Sequence, residues 1–461
     1  MRGFVRYAVA AVSVVLFLAA APLADVPASD DIPMRLPPAP LQTLPVSKAD
    51  ALSRFFSARA AGGPLRVLHI GDSHIARDAF SGDLRAMLTD GHTPGARGMI
   101  PPGPVYPFFA ARGVEVDMSD GWTVHRARND DASGPFGLMN ARVEAAPATS
   151  PWIVLSGIDH PADRLVIGYW RQPDGGAIQV RVDAALHAFQ TDGREGPAFA
   201  AVPVPKGTQI IRVSAAGDGP MALLSLSLEA GEAGVTLSNT GWPGATAQIM
   251  TRWDDDVLRM ELARFAPHLI IISYGTNEGF DDELDLAAYE TTLRNQLMRL
   301  KRFAPSASLL LTGGPDGTRL PFYADTDARA PHEWTCAPLT DAERRDYAAL
   351  MEAESETLLR WHDPPYLSSV LALQERVALE AGVAHWNWRQ AMGGACAVHD
   401  WRLAEPQWAR PDHVHLTSAG YAASAAALAA ALNGAFVAWT ALREGETVSD
   451  RDRSHSGATK D

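Results

Sequence analysis

Helix and strand patterns alternate in the second half of the chain, and this alternation most constrains the fold. The run HLIIISYG, residues 268–275, lies between helix-like segments at 247–265 and 285–303. An unbroken apolar run is typical of a strand that is buried on both faces of a parallel sheet. Another strand pattern follows at 308–315, and a helix is predicted at 418–432. We therefore predict an α/β fold with helices on both faces of a parallel sheet.

Between residues 122 and 238 the pattern changes to short strand-like runs separated by turn residues. Runs such as AIQVRV alternate between apolar and polar residues, and Gly, Pro and Asp punctuate them. This predicts an all-β sandwich or jelly roll. Because the α/β pattern occupies 48–121 and resumes at 239–440, we predict that the β domain is inserted into the α/β domain.

The two ends of the chain have different compositions from the middle. Residues 1–28 combine early arginines, a short apolar stretch and small residues, which predicts a secretory signal peptide, with an uncleaved anchor as the alternative. Residues 29–47 form a predicted Pro-rich linker, and residues 441–461 form a predicted disordered tail. No later stretch is predicted to span a membrane, so we expect an exported, periplasmic or cell-envelope-associated protein.

Charge and cysteine content restrict the partners. The formal net charge is -14, so phosphate backbones would repel the protein and a nucleic-acid partner is not expected. Cys336 and Cys396 are the two cysteines, and export would permit a disulfide between them, with two free thiols as the alternative. No Cys/His spacing indicates a zinc site, and no metal or organic cofactor is expected.

Ligands of open parallel sheets bind just outside the carboxyl ends of the strands. Three polar stretches of this sequence follow predicted strands or precede the last predicted helix. They are residues 71–74 (GDSH), 275–278 (GTNE) and 411–417 (PDHVHLT). A serine nucleophile needs a base within hydrogen-bond reach and a group that orients this base. Asp412 and His415, three positions apart, could supply both groups.

An oxyanion intermediate would also need hydrogen-bond donors. Asn277 offers a side-chain N–H, and a glycine turn at Gly241 or Gly244 could offer a backbone N–H. Each residue also has an ordinary interpretation, since Ser73 could cap a helix and Asn277 could occupy a turn. Asp412 and His415 could likewise be ordinary loop residues.

In their order along the chain, these residues resemble the SGNH/GDSL hydrolase superfamily. The four matching blocks are Gly71-Asp72-Ser73, Gly244-Ala245, Gly275-Thr276-Asn277 and Asp412-x-x-His415. The sequence departs from the family pattern at His74, where leucine is usual, and at Glu278, where Asp is common. The resemblance implies an SGNH-type, flavodoxin-like, three-layer α/β/α fold with a parallel sheet.

The resemblance also implies a role for each matching residue. Ser73 would be the nucleophile, His415 the general base, and Asp412 the residue that orients His415. The implied oxyanion hole consists of the Ser73 and Gly244 backbone N–H groups and the Asn277 side chain. Asp72 is expected to support the site from behind, without touching the substrate.

The Ile-Gly-Asp-Ser-His start, the Gly-Thr-Asn-Glu block and the β-rich insert resemble bacterial peptidoglycan O-acetylesterases, whose insert is similar to a carbohydrate-binding module. This implies an esterase that removes O-acetyl groups from a cell-wall glycan, with peptidoglycan as the first choice. The alternatives are an acetyltransferase or deacetylase for another exported polysaccharide, and a non-catalytic glycan-binding scaffold. The long segment 320–363 could form a lid or substrate loop.

Sugar binding is expected to rely on aromatic faces and neutral hydrogen bonds, because an acidic protein gains no net attraction to an acidic polymer. Trp242 is the favoured stacking residue, since it adjoins the glycine block. The other tryptophan candidates are Trp122, Trp170, Trp386, Trp388, Trp401 and Trp408.

Overall fold

The structure is a computed structural model of the chain. It describes residue 41 and residues 44–89, 94–129, 132–231 and 234–456, with side chains up to residue 444. The predicted signal peptide and most of the predicted linker lie outside the described residues. The end of the linker belongs to the fold, since Ser47 forms an antiparallel bridge with His385 and Val46 is buried.

The strands, in chain order, are β1 (Leu65–Gly71), β2 (Gly98–Ile100), β3 (Glu115–Met118), β4 (Trp122–Arg126), β5 (Ala141–Ala145), β6 (Trp152–Ser156), β7 (Arg164–Arg171), β8 (Ala177–Val182), β9 (Ala185–Gln190), β10 (Gly196–Pro203), β11 (Ile210–Ala215), β12 (Met221–Glu229), β13 (Val235–Asn239), β14 (Leu269–Ser273), β15 (Ser308–Leu311) and β16 (Ala384–His385). The α-helices are α1 (Ser53–Ala60), α2 (Ser73–Ala76), α3 (Ala79–Thr89), α4 (Asp255–Phe265), α5 (Thr276–Gly279), α6 (Leu286–Phe303), α7 (Asp341–Arg345), α8 (Tyr347–Glu352), α9 (Leu367–Glu380), α10 (Trp388–Met392), α11 (Ala397–Leu403) and α12 (Ser418–Ser456). Short 3-10 turns lie at Ala49–Leu52, Ala247–Arg252, Pro331–Glu333 and Glu356–Leu358.

The central sheet is parallel and has the strand order β13-β1-β14-β15-β16. All five residues of β14 are buried, as its apolar sequence LIIIS predicts for a strand covered on both faces. The chain places β13 on one side of β1 and β14 on the other. The strand order therefore reverses at β1, and such a reversal opens a crevice at the carboxyl ends of the strands.

Two antiparallel sheets occupy the sequence between β1 and β13. One has the order β10-β7-β12-β5-β4 with β2 added to β12, and the other has the order β3-β6-β11-β8-β9. In β11 the alternate residues Ile211, Val213 and Ala215 are buried, which is the predicted pattern of a half-covered strand. Leu68 of β1 and Val213 belong to one hydrophobic cluster, so the antiparallel region shares a core with the parallel sheet.

The sheets do not begin and end at the predicted insert limits of 122 and 238. β2 and β3 already pair with antiparallel strands, whereas β13 pairs in parallel with β1. The short strands β2 and β3 lie among Gly and Pro residues and are too short to show a period. The sequence of β13, VTLSN, alternates as a half-exposed strand would, and only its pairing reveals that it belongs to the parallel sheet.

Helix α12 continues well beyond the predicted end at Leu432. Its bounds include residues 441–456, whereas residues 457–461 lie outside the described residues, and disorder of the tail stays a prediction. No proline interrupts the sequence after Leu432, so the backbone can continue as a helix.

Part of α12, Ser418–Glu444, is long and apolar enough to cross a membrane by length and composition, with a mean hydropathy of 1.6. The expectation that no later stretch would meet this criterion was therefore wrong. The apolar composition has a second explanation, because α12 packs against α3 and buries Ala425, Leu428 and Leu432 in the core. A core helix with small apolar residues satisfies the same criterion.

Candidate active site

Ser73 lies where β1 passes into the short helix α2. Gly71 has no room for a side chain, because a Cβ there would approach the Ser273 carbonyl oxygen to 2.7 Å. Asp72 is the helix cap, and its Oδ1 accepts a hydrogen bond of 2.9 Å from the His74 N–H. The capping interpretation of Ser73 is therefore wrong, and its hydroxyl is free for another partner.

Asp412 and His415 lie on a tight loop between α11 and α12. The loop is closed by an antiparallel bridge between Ala409 and Leu416. Asp412 Oδ1 accepts hydrogen bonds from the N–H groups of Val414 (3.0 Å) and His415 (2.9 Å). This turn, typical of aspartate, holds the carboxylate below the imidazole that follows it.

Ser73, His415 and Asp412 form a continuous hydrogen-bonded chain. Ser73 Oγ lies 3.0 Å from His415 Nε2, and His415 Nδ1 lies 2.8 Å from Asp412 Oδ2. In the neutral ring, an Nδ1–H that donates to Asp412 leaves Nε2 as the acceptor for the serine hydroxyl. Residues 342 positions apart in sequence thus meet in the geometry of a serine nucleophile with an oriented base.

Asp412 is held in its charged form. Partial burial alone would raise the pKa of this carboxyl, but the hydrogen bonds from the His415 ring and from the Val414 and His415 N–H groups outweigh it. The pKa of Asp412 therefore lies well below its usual range. A carboxylate at this position stabilises the imidazolium that forms when His415 takes a proton.

The two glycines proposed as backbone donors differ in availability. The N–H of Gly241 donates to Asn239 Oδ1 at 2.9 Å, and a Cβ on Gly241 would lie 2.4 Å from the Ala76 nitrogen. The Gly244 N–H and the Ser73 N–H donate to no described residue. Gly244 adopts a φ of 68°, in the left-handed region that favours glycine. Gly244 is thus the better oxyanion donor.

Asn277 is the second residue of α5, the short helix that follows β14. One N–H of its side-chain amide donates to the Ala245 carbonyl at 2.8 Å, which leaves a second N–H. The adjacent Glu278 is buried and accepts hydrogen bonds from the N–H groups of Ala247 (2.7 Å) and Gly275 (3.0 Å). Glu278 therefore fastens the glycine block to the turn that carries Asn277. Sequence reasoning noted Glu278 only as a departure from the family pattern and missed this contact.

Two buried titratable groups lie behind the serine. Burial raises the pKa of Asp72 to about 7, although the hydrogen bond from the His74 N–H opposes this shift. Burial, together with the nearby His415, lowers the pKa of His74 to about 3, so the His74 ring is neutral. His74 Nδ1 is 3.1 Å from Tyr421 Oη, and its ring centre is 5.4 Å from that of His415. His74 thus packs beside the His415 ring and is itself held by Tyr421.

A cavity of about 460 Å³, here called the Ser73 cleft, opens beside Ser73 and His415. This volume is within the usual range of small-ligand sites. Its walls include the apolar residues Pro107, Phe108, Ala110 and Pro243 and the basic residues Arg77, Arg112 and Arg410. Sequence reasoning missed these residues, since no motif or periodicity marks them.

The tryptophan predictions are largely wrong. Trp242 is only 3% exposed and packs edge-on against Tyr106, so it belongs to the core and offers no open face for stacking. Trp386, Trp388 and Trp401 are also buried. The half-buried candidates are Trp122, Trp170 and Trp408. Proximity in sequence to the glycine block did not reveal which side of the turn the indole would occupy.

Segment 320–363 supports the loop of the triad. Cys336 forms a disulfide with Cys396, next to α11, and the Trp361 ring stacks on His413 with ring centres 3.5 Å apart. No described residue of 320–363 lines the Ser73 cleft, so a lid over that cleft is not seen. Among the residues described with side chains, no group of three or more His, Cys, Asp or Glu residues is arranged to hold a metal ion.

Comparison with solved structures identifies the fold. A peptidoglycan O-acetylesterase structure superposes with a TM-score of 0.64, at 24% sequence identity over 84% of this chain and 96% of that chain. The predicted SGNH-type fold is confirmed. At this level of identity the likeness establishes the fold alone.

Other likenesses are weaker. A lipase/acylhydrolase from Enterococcus faecalis gives a TM-score of 0.26 at 15% identity, over 44% of this chain and 77% of that chain. A family two carbohydrate esterase from Clostridium thermocellum gives a TM-score of 0.24 at 11% identity, over 68% of this chain and 98% of that chain. These scores support no inference. No family model and no curated protein matches the chain.

Proposed function

We propose that the protein is a serine esterase that removes O-acetyl groups from a cell-wall glycan, with peptidoglycan as the favoured substrate. The observation that carries this proposal is the hydrogen-bonded chain Ser73–His415–Asp412 at the mouth of an open cleft. The fold shared with a peptidoglycan O-acetylesterase supports the choice of reaction. Such a substrate requires export, which the N-terminal sequence pattern supports.

In the proposed reaction, His415 Nε2 takes the hydroxyl proton while Ser73 Oγ attacks the acetyl carbonyl. Negative charge develops on the carbonyl oxygen, and donors placed for this charge lower the barrier more than any ground-state contact would. The donors we assign are the N–H groups of Ser73 and Gly244 and the second amide N–H of Asn277. Their availability within the described residues supports this assignment.

The tetrahedral intermediate then collapses, and His415 returns its proton to the leaving sugar oxygen. The products of this half-reaction are an acetyl-Ser73 ester and a free sugar hydroxyl. In the second half-reaction, His415 removes a proton from water as the water attacks the acyl-enzyme carbonyl. The bond to Ser73 Oγ then breaks, His415 returns the proton to this oxygen, and acetate is released. Asp412 stays ionised throughout and stabilises the imidazolium in both steps.

Transfer of the acetyl group to another glycan hydroxyl would use the same acyl-enzyme, and only the acceptor would differ. Incubation of the enzyme with a labelled acetyl ester and unacetylated glycan separates the two reactions. A hydrolase leaves the glycan unlabelled and releases labelled acetate. Labelled glycan as the main product would replace the esterase proposal by an acetyltransferase.

The proposal is tested by acetate release from O-acetylated peptidoglycan, acetylated xylan and 4-nitrophenyl acetate. We expect the Ser73→Ala variant to lose at least about 10³-fold in kcat on every substrate that the wild type hydrolyses. Ser214→Ala in β11, outside the cleft, is the matched control and should keep wild-type activity. Acetate release by a folded Ser73→Ala protein at the wild-type rate would refute the mechanism.

A non-catalytic glycan-binding scaffold makes a different prediction. It would bind the glycan, turn over none of the three substrates and bind equally well after the Ser73→Ala substitution. The intact triad disfavours this alternative, because a scaffold would have no need for a serine hydroxyl 3.0 Å from an oriented imidazole.

A further inference from the structure

We propose that the Ser73 cleft contains a carboxylate-binding subsite formed by Arg77 and Arg410, so that the preferred substrate is an acetylated sugar with a carboxylate nearby. This inference rests on the proposed esterase function and deepens it. It also replaces the expectation that only aromatic and neutral contacts would hold the glycan.

The charges that line the cleft do not cancel. Three arginines and one carboxylate lie on its walls, and the carboxylate, Asp412, is already bonded to His415. Arg112 is paired with Asp83. Arg77 and Arg410 remain, so a local positive region faces the nucleophile although the whole chain has a formal net charge of -14.

Both remaining guanidinium groups are accessible. Arg77 is exposed at the end of α2 and forms no ion pair with a carboxylate of the described residues. Arg410 is exposed too, and its Nε donates to the Leu416 carbonyl at 3.2 Å, which anchors the side chain and leaves its terminal nitrogens for a ligand. The planar guanidinium group matches the geometry of a carboxylate and binds it through two parallel hydrogen bonds.

Arg77 and Arg410 have no carboxylate partner among the described residues, whereas two buried arginines of the parallel-sheet region do. Arg85 pairs with Asp78, and Arg389 pairs with Asp316 and Asp363. These two buried arginines each have a carboxylate partner among the described residues. At the cleft the missing anion would come with the substrate.

A third exposed arginine extends the positive region toward the glycine block. A Cβ on Gly244 would come within 2.9 Å of the Arg128 guanidinium carbon, so this group lies directly over the turn that supplies the proposed oxyanion donor. A glycan strand with several carboxylates would be attracted by the positive charge of the arginines between the Ser73 cleft and Arg128. Fields of this kind also raise the association rate, and salt weakens them.

Phe108 gives the cleft an apolar surface suited to a sugar ring. Its side chain is 81% exposed and its φ is 60°, an unusual backbone conformation for a bulky residue. Strained residues and exposed aromatic rings are both concentrated at binding sites. A sugar on this ring would place its acetyl group toward Ser73 and its carboxylate toward the arginines, since all line one cavity.

The test compares one glycan in two charge states. O-acetylated peptidoglycan is assayed for acetate release before and after its carboxylates have been converted to amides, with wild type, Arg77→Gln, Arg410→Gln and the double variant. Arg181→Gln in β8, which removes an exposed arginine outside the cleft, is the matched control. Fluorophosphonate labelling of Ser73 reports that each variant has a folded site.

We expect wild type and the control to prefer the native glycan by about tenfold in kcat/KM, the size of one charge-assisted contact. The double variant should lose this preference, mainly through a higher KM, and salt should reduce the wild-type preference. Equal rates of wild type on both glycans, or an unchanged preference in the double variant, would overturn the subsite while the esterase function stands. Acetate release from neither glycan nor 4-nitrophenyl acetate would instead overturn the proposed function.

Discussion

The parallel-sheet region and the antiparallel region each contain a histidine bonded to a carboxylate, and the two pairs differ in what lies on the other side of the ring. In the antiparallel region, His125 Nε2 is 2.9 Å from Glu144 Oε2, between neighbouring strands of one sheet. In the parallel region, His415 bonds to Asp412 through Nδ1 and presents Nε2 to Ser73. The first pair links two strands, and the second can move a proton.

This difference follows from topology. Antiparallel neighbours place side chains opposite one another in pairs, which suffices for a strand-to-strand contact. The parallel sheet brings the carboxyl ends of β1, β13 and β14 to one edge, and each end continues into a turn that carries polar residues. A site that needs a nucleophile, a base and separate oxyanion donors can be assembled there from distant parts of the chain.

The largest contrast is expected from replacing the two histidines. His415→Ala removes the proposed general base, so we expect kcat for acetate release to fall by at least about 10³-fold. His125→Ala removes only the contact with Glu144 and should leave kcat unchanged. Steady-state rates of both variants measure the contrast. A similar loss of kcat in His415→Ala and His125→Ala would show that the two histidine–carboxylate pairs do not differ in function.

The second contrast concerns ion pairs. Arg389 contacts the buried carboxylates of Asp316 and Asp363, so Arg389→Gln leaves both without its charge and should lower the free energy of unfolding by about 3–5 kcal/mol. Arg164 pairs with Glu229 on the antiparallel region with a side chain that is 36% exposed, and Arg164→Gln should cost less than about 1 kcal/mol. Denaturant unfolding measures both. An equal loss of unfolding free energy in Arg389→Gln and Arg164→Gln would show that burial does not distinguish the two ion pairs.

The third contrast separates Asn277 from a surface asparagine of the same region. Asn277→Ala removes a proposed oxyanion donor and should reduce kcat about 10²–10³-fold, with a smaller change in KM. Asn295→Ala on the exposed face of α6 is the control and should keep the wild-type kcat. A change in KM alone for Asn277→Ala would assign this residue to substrate binding and not to the oxyanion.

The smallest contrast is in acid stability. Burial lowers the pKa of His385 from 6.5 to about 4 in the folded protein, so below pH 6.5 the unfolded chain binds the proton first. This favours unfolding, and the loss accumulates from pH 6.5 down to about pH 4, reaching about 2 kcal/mol near pH 5.

His385→Gln should therefore reduce the loss of unfolding free energy between pH 7 and pH 5, measured by denaturant titrations at each pH. His187→Gln on β9, in the antiparallel region, is the matched control and should retain the wild-type loss. An unchanged slope in His385→Gln would contradict a contribution of this buried ring to the acid sensitivity.

The sequence was sufficient to predict that Ser73, Asp412 and His415 lie together, and their assignment as a catalytic triad stays a prediction. Ser73 follows an apolar strand and a glycine, and the spacing of Asp412 and His415 is a local property that a turn converts into contact. The parallel sheet was also predictable, because strands such as β14 are apolar throughout. These signals are contained in short segments and do not require knowledge of distant partners.

The missed features depend on contacts between distant segments. Trp242 is buried because Tyr106, far away in sequence, covers it. Phe108 and Arg410 acquire their importance from the cavity that they share, and neither residue is unusual in its own sequence context. The same limit explains β13, whose alternating sequence does not reveal that it pairs with β1.

The most direct measurement of the central claim is covalent labelling by a fluorophosphonate, followed by mass spectrometry of the peptides. If the hydroxyl of Ser73 is activated by His415 and Asp412, one label per chain will be found on Ser73, and His415→Ala will label far more slowly. Labelling of a different residue, or acetate release by a protein in which Ser73 never reacts, would contradict the account.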